Sequence, residues 1–229
     1  QIEHMKIDHL LDFVDQLIAR FPRIQALGIG IPGAVNQGVI NISDIDALIH
    51  VPLEAMIRDK HDLEVVIEND MNLVALGFHR KQEYPQQVSV AVTAFDEGLF
   101  PGSGMIVNGN MLNGHTHFAG EISFLPFGRS REQLFSDLHN RLTMPGVVGH
   151  SLTSLIALIN PAAIALTGRL IRTEDLDSIR QECLKYIPEL HMPDLILLEQ
   201  PQVYYMYGLM LRTLDRLQQS WIADADTRS

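Results

Sequence analysis

With 229 residues, 28 acidic against 17 basic side chains and a formal net charge of −11, the chain can bury one large core or two small ones but lacks the clustered cations that hold nucleic-acid phosphates. A single cysteine, Cys183, excludes an internal disulfide framework and any multi-cysteine zinc site. No signal-peptide pattern opens the chain, and its longest apolar stretch, Leu155 to Leu166, is broken by Asn160-Pro161 and too short to span a bilayer, so a cytoplasmic protein is expected.

Leu10, Leu11, Val14, Leu17, Ile18 and Phe21 recur at spacings of three and four and predict one helix, which Pro22 ends. A first strand, Ile24 to Ile31, contains Gly28 and Gly30, a sign of close backbone packing, and runs into the turn Pro32-Gly33. A second strand, Leu63 to Ile67, leads through Glu68-Asn69-Asp70 into a helix-compatible run, Met71 to Phe78. After a third strand, Val88 to Thr93, comes a loop with Phe95, Asp96, Glu97 and Gly98. Gly102-Ser103-Gly104 is read as a glycine-rich turn preceding a hairpin, Met105 to Leu112, whose Asn108-Gly109 is a strong turn signal.

A loop reaches Gly128, and Arg129 to Arg131, the densest basic cluster, is read as solvated. Helices are predicted over Glu132 to Leu142 and Val147 to Ile159, a fourth strand over Ala163 to Leu166 ending at Thr167-Gly168, and a helix over Thr173 to Ile187. On that last helix Cys183 shares an apolar face with Ile179 and Leu184 and is read as core. A fifth strand, Leu195 to Leu198, and a long helix, Val203 to Trp221, complete the chain. Strands alternating with helices indicate an α/β protein with largely parallel pairing.

Ligands of such sheets sit outside the carboxyl ends of strands, and Asp70 is the sharpest candidate there. A carboxylate at that position accepts hydrogen bonds from ligand hydroxyls or serves as a general base; an aspartate opening a helix equally serves as its cap. Asn69, with a donor and an acceptor, suits a sugar hydroxyl or a turn. Glu121 follows His115 and His117 in the loop after the hairpin. The histidine spacing is not diagnostic of a metal, which leaves Glu121 as a second hydroxyl acceptor. Gly102-Ser103-Gly104 could bring backbone amides to a phosphate, although no lysine follows as a P-loop requires.

Taken together, several segments in register resemble the ROK family of sugar kinases and sugar-responsive transcriptional repressors. They are Gly28-Ile29-Gly30-Ile31-Pro32-Gly33-Ala34-Val35, Glu68-Asn69-Asp70-Met71-Asn72 with Ala75-Leu76-Gly77, Gly104 to Gly109, Ala119-Gly120-Glu121-Ile122, and Leu158-Ile159-Asn160-Pro161 followed by Gly168. The resemblance implies an actin-like (ribonuclease H-like), two-lobed fold with an incomplete N-terminal lobe. Residues 1–71 would be the remainder of the small lobe, 72–202 the large lobe, and 203–229 a helix packing back on the small lobe. It also implies sugar contacts from Gly33, Asn69, Asp70 and Glu121, and places Gly102, Gly104 and Gly168 nearest a nucleotide.

The departures from the family pattern weigh on activity. No Asp-x-Gly-x-Thr hairpin precedes the first helix. Thr93-Ala94-Phe95-Asp96-Glu97 replaces a Gly-Thr-Gly phosphate loop, and its acids would repel ATP. Phe124 stands where a zinc-site histidine is common, Thr167 replaces a glycine, and the zinc cysteines are missing, so no structural zinc is expected. Phosphoryl transfer depends on positioning and charge stabilisation, so the chain is expected to be the sugar-binding effector domain of a regulator. DNA would be reached only through an upstream domain, which fits a chain that begins at Gln1 as a fragment or processed product would. The alternative is an ATP- and Mg²⁺-dependent sugar kinase with Asp70 as base. A homodimer or tetramer and no membrane contact are expected in either case.

Overall fold

The computed structural model describes residues 7–43 and 45–226; His4 and the outer ends of the first and last expected segments, 1–6 and 227–229, lie outside them. The first helix, α1 (Ile7–Arg20), buries Val14 and lays Leu10, Leu11, Leu17 and Ile18 on the same core, as its spacing requires. β1 (Ala26–Ile31) follows. Next come a small antiparallel pair, β2 (Val35–Asn36) and β3 (Val39–Ile40), and a helix, α2 (Leu53–Arg58), none of which the sequence signals. Two-residue strands and a six-residue helix are too short to show a period. β4 (Glu64–Asn69) then pairs in parallel with β1, Ala26 opposite Glu64 through to Ile31 opposite Asn69. These elements share one core around Leu27, Ile31, Ile40, Leu53, Val65 and Ile67.

α3 (Asp70–Lys81) leads to a second, five-stranded sheet. It contains β5 (Val90–Ala94), β6 (Gly102–Val107), β7 (Asn110–Met111), β8 (Ala163–Thr167) and β9 (Asp194–Leu197), in the order β7-β6-β5-β8-β9. β5, β8 and β9 are parallel, and β6 and β7 antiparallel. The β6–β7 turn is the expected Asn108-Gly109, both at positive φ. Gly102-Ser103-Gly104 is not a turn: it opens β6, with Ser103 opposite Thr93. The reason is contact, since a Cβ on Gly104 would overlap the Met71 carbonyl at the start of α3.

Each face of this sheet is covered. α4 (Arg131–His139), α5 (Met144–Ile159) and α6 (Leu176–Leu184) bury one face around Leu138, Val148, Leu152, Ile164 and Ile179. Cys183 lies in that core, its Sγ 3.5 Å from the Gly149 carbonyl, and burial pushes its thiol up. α3 and the last helix, α7 (Pro201–Asp226), cover the other face around Phe78, Val90, Val92 and Ala165.

α7 also reaches back over the β1–β4 pair. Thr213 and Leu209 sit against Gly28, Tyr205 against Gly30, and Arg216 Nε bonds Glu64 at 3.1 Å. Leu211 packs inward, whereas Leu214 is exposed. Among the described residues, no single helix is long and apolar enough to cross a membrane.

Candidate functional site

The carboxyl ends of β1, β4 and β5 open on one cleft of about 250 Å³, lined by Pro32-Gly33, Asn69-Asp70, Ala94 and Asp96, Gly102, and Gly120-Glu121. It lies near the small end of ligand pockets, which run from roughly 300 to 1,000 Å³. Gly33, Asn69, Asp70 and Glu121 therefore converge from three separate segments. Gly102 joins them; Gly104 and Gly168 do not line the cleft. Gly104 is spent on contact with α3, and a Cβ on Gly168 would overlap the Phe95 carbonyl. His117 lines the cleft and His115 does not, and among the described residues no group of three histidines, cysteines or acids could hold a metal.

Asn69 is the N-cap of α3. Its Oδ1 accepts the Asn72 amide at 2.9 Å and its Nδ2 donates to the Gly33 carbonyl at 2.9 Å, tying the ends of β1 and β4 together. Asp70 is thus not the cap but the first helical residue, its Oδ1 accepting the next amide, Met71, at 2.7 Å. That position sets a carboxylate at the positive end of the helix, facing the cleft. Gly33, at φ +138°, can only be glycine: a side chain there would overlap the Ile42 carbonyl.

Beneath these residues lies Glu68, 4% exposed. Its Oε1 accepts the Asn69 amide at 3.0 Å and Asn72 Nδ2 at 3.1 Å, and its Oε2 meets Arg212 of α7 at 3.5 Å. Asn72 also reaches Asn113 at 3.3 Å. Tyr205 of α7 bonds the Gly30 backbone; burial pushes its phenol up and the charge of Asp70 adds to that. The cap is therefore supported from below by the last helix, through Arg212 and Glu68.

The opposite wall comes from the large sheet. Ser103 donates to the Gly120 carbonyl at 2.8 Å, fixing the turn that presents Glu121 and the 3₁₀ segment Ile122–Phe124. Asp96 Oδ1 collects the Glu97 amide at 2.9 Å, the Arg169 amide at 3.3 Å and Arg169 Nε at 2.8 Å. Burial works to raise the Asp96 carboxyl, but the Arg169 bonds outweigh it and hold it below the usual carboxylate range.

Asn72 and Arg131 also line the cleft. Asn72 follows Asp70 by two positions, close enough for its turn to have been noticed. Arg131 is solvent-exposed, as the basic cluster suggests, and it also lies on the cleft wall. Its guanidinium lies 3.9 Å from the centre of the Phe100 ring and 4.5 Å from that of Phe124, on the cleft wall. Arg129 faces away, paired with Asp137. The three segments that build this stack are far enough apart in sequence that no local signal announces it.

The ROK family profile matches residues 1–133 of the chain. The chain belongs to the ROK family. It is 28% identical over 119 residues to a xylose repressor of Caldicellulosiruptor bescii, covering 49% of this chain and 29% of that protein. It is 29% identical over 128 residues to an N-acetyl-D-glucosamine kinase of Salmonella paratyphi B, covering 53% and 42%. The chain thus spans well under half the length of these curated relatives. The ROK hexokinase of Thermus thermophilus superposes with a TM-score of 0.71 at 18% identity, over 93% of this chain and 89% of that one. The fold is the actin-like, two-lobed fold of ROK proteins, and the cleft lined by Asn69, Asp70 and Glu121 is the candidate site of this ROK chain.

Proposed function

We propose that the chain is the sugar-binding effector domain of a ROK-type regulator of carbohydrate metabolism. The observation that carries this reading is a mismatch within one cleft. Side chains suited to hydroxyls line it, while the backbone donors of the loop after β5 are bonded within the protein. Asp70, Glu121 and Asn69 offer oxygens to a polyhydroxyl ligand. In the loop after β5, the amides of Phe95, Glu97, Gly98 and Leu99 donate respectively to the Thr167 carbonyl, Asp96 Oδ1, His139 Nε2 and the Asp96 carbonyl. Asp96 and Glu97 add carboxylates, both facing Arg169. This donor set does not fit a nucleoside triphosphate.

On this reading 1–71 belong to the small lobe, 72–202 to the large lobe, and 203–229 tie the two together. Sugar binding would close the cleft and shift a two-state equilibrium that a DNA-binding region elsewhere in the protein senses. The second reading, a sugar kinase with Asp70 as general base, is favoured by the match of about half of this chain to an N-acetyl-D-glucosamine kinase. A coupled assay with ATP and Mg²⁺ on glucose, mannose, xylose and N-acetylglucosamine, run beside calorimetry on the same sugars, separates them. Binding without turnover is the expected result; turnover of any sugar overturns the sensor reading.

A further inference from the structure

Arg131 is a cation in a cleft otherwise furnished with carboxylates. Its neighbours Arg129 and Arg169 are ion-paired, with Asp137 and Asp96 respectively. Arg131 meets no carboxylate among the described residues; its polar contact is Ser123 Oγ, at a long 3.5 Å. Two rings fix it instead, Phe100 at 3.9 Å and Phe124 at 4.5 Å from the guanidinium carbon. Stacking of this kind holds the guanidinium plane and leaves its edge, with its fork of N–H donors, available to a partner. A planar fork held without an acid matches the two oxygens of a carboxylate or phosphate.

We infer that the cleft takes a sugar bearing an anionic group, with the anion on Arg131 and the hydroxyls on Asp70 and Glu121; this rests on the sugar-binding reading above. The other charges of the cleft favour such a two-ended ligand over a free anion. Asp70 and Glu121 put carboxylates on the wall, Asp96 there is paired with Arg169, and among the described residues His117 is the other titratable side chain lining the cleft. Only a molecule that brings hydroxyls to the acids and its charge to Arg131 satisfies both ends.

The test is calorimetry on the chain with matched probes: glucose, glucuronate and glucose 6-phosphate, and the same three forms of galactose and mannose. At least one acid or phosphate should bind about tenfold more tightly than its neutral parent, the effect of one charge-assisted bidentate contact. Comparing the uronate and phosphate arms identifies which anion is preferred. In Arg131→Gln that advantage should fall to less than about threefold, with Arg131→Lys between, because an ammonium keeps the charge and loses the fork. Asp70→Asn should weaken neutral and charged forms alike, and unchanged thermal melting of each variant shows that folding is intact. Neutral sugars binding as tightly as their anionic forms, or an advantage that survives Arg131→Gln, overturns the inference alone. No binding of any probe overturns it together with the sugar-binding reading.

Discussion

Asn69 and Asp70 are neighbours whose side chains serve different ends. Asn69 closes the first turn of α3 and bridges to Gly33, and that frees Asp70 to present its carboxylate at the helix start. Asn69 in turn rests on Glu68, which is buried and accepts from Asn69, Asn72 and Arg212. Glu68→Gln replaces one acceptor oxygen by a donor among donors, so a buried partner loses its bond. It should cost about 1–3 kcal/mol, read as a lower denaturant midpoint at unchanged m-value, and it should weaken sugar binding without touching the cleft directly. The site residues that carry their own chemical signature, a carboxylate or amide just past an apolar strand, could be found in the sequence. Arg131 could not, because its role comes from Phe100 and Phe124, which reach it from other segments.

At the scale of elements, α7 decides how the cleft floor is held. It crosses α3 at two small residues: a Cβ on Gly208 would overlap the Leu73 carbonyl, and one on Gly77 the Tyr204 carbonyl. Gly208→Ala should therefore force the helices apart and cost about 1–3 kcal/mol through overpacking, although alanine is the better helix former by about 1 kcal/mol. Equilibrium unfolding in urea checks the sign, and a stabilised variant would contradict the packing. The long elements α1, α5, α7 and the strands β1, β4, β5 and β8 were legible from period and turn signals. β2, β3 and α2 were not, being too short to repeat. Gly104 marks a tight backbone approach, which glycine permits as readily as a turn; only the fold shows that α3 lies against β6.

For the whole molecule, three hydrophobic cores are joined by helices and sheets, and a buried acid ties part of the larger unit together. Asp175, 7% exposed, pairs with Arg141 and accepts the Arg172 amide at 2.8 Å. Burial works to raise its carboxyl, but these partners outweigh it and hold it below the usual range. A lowered folded-state value means that the unfolded chain binds the proton more readily, so this stability is present above about pH 4 and lost as pH falls through the lower, folded value. Acid denaturation of Asp175→Asn should start from a lower stability at pH 7 and decline less steeply below about pH 4 than the parent chain; parallel curves would show that Asp175 contributes nothing to it.

The claim on which the rest depends is that Asp70 and Glu121 receive ligand hydroxyls in a cleft that no longer holds ATP. Its most direct test is titration calorimetry of a bound sugar from the panel against the parent chain, Asp70→Asn and Glu121→Gln. A carboxylate–hydroxyl bond is worth about 1.5–3 kcal/mol, so each change should weaken binding by roughly tenfold to a hundredfold, and added ATP should leave the parent affinity unchanged. Full affinity in both variants would contradict the account.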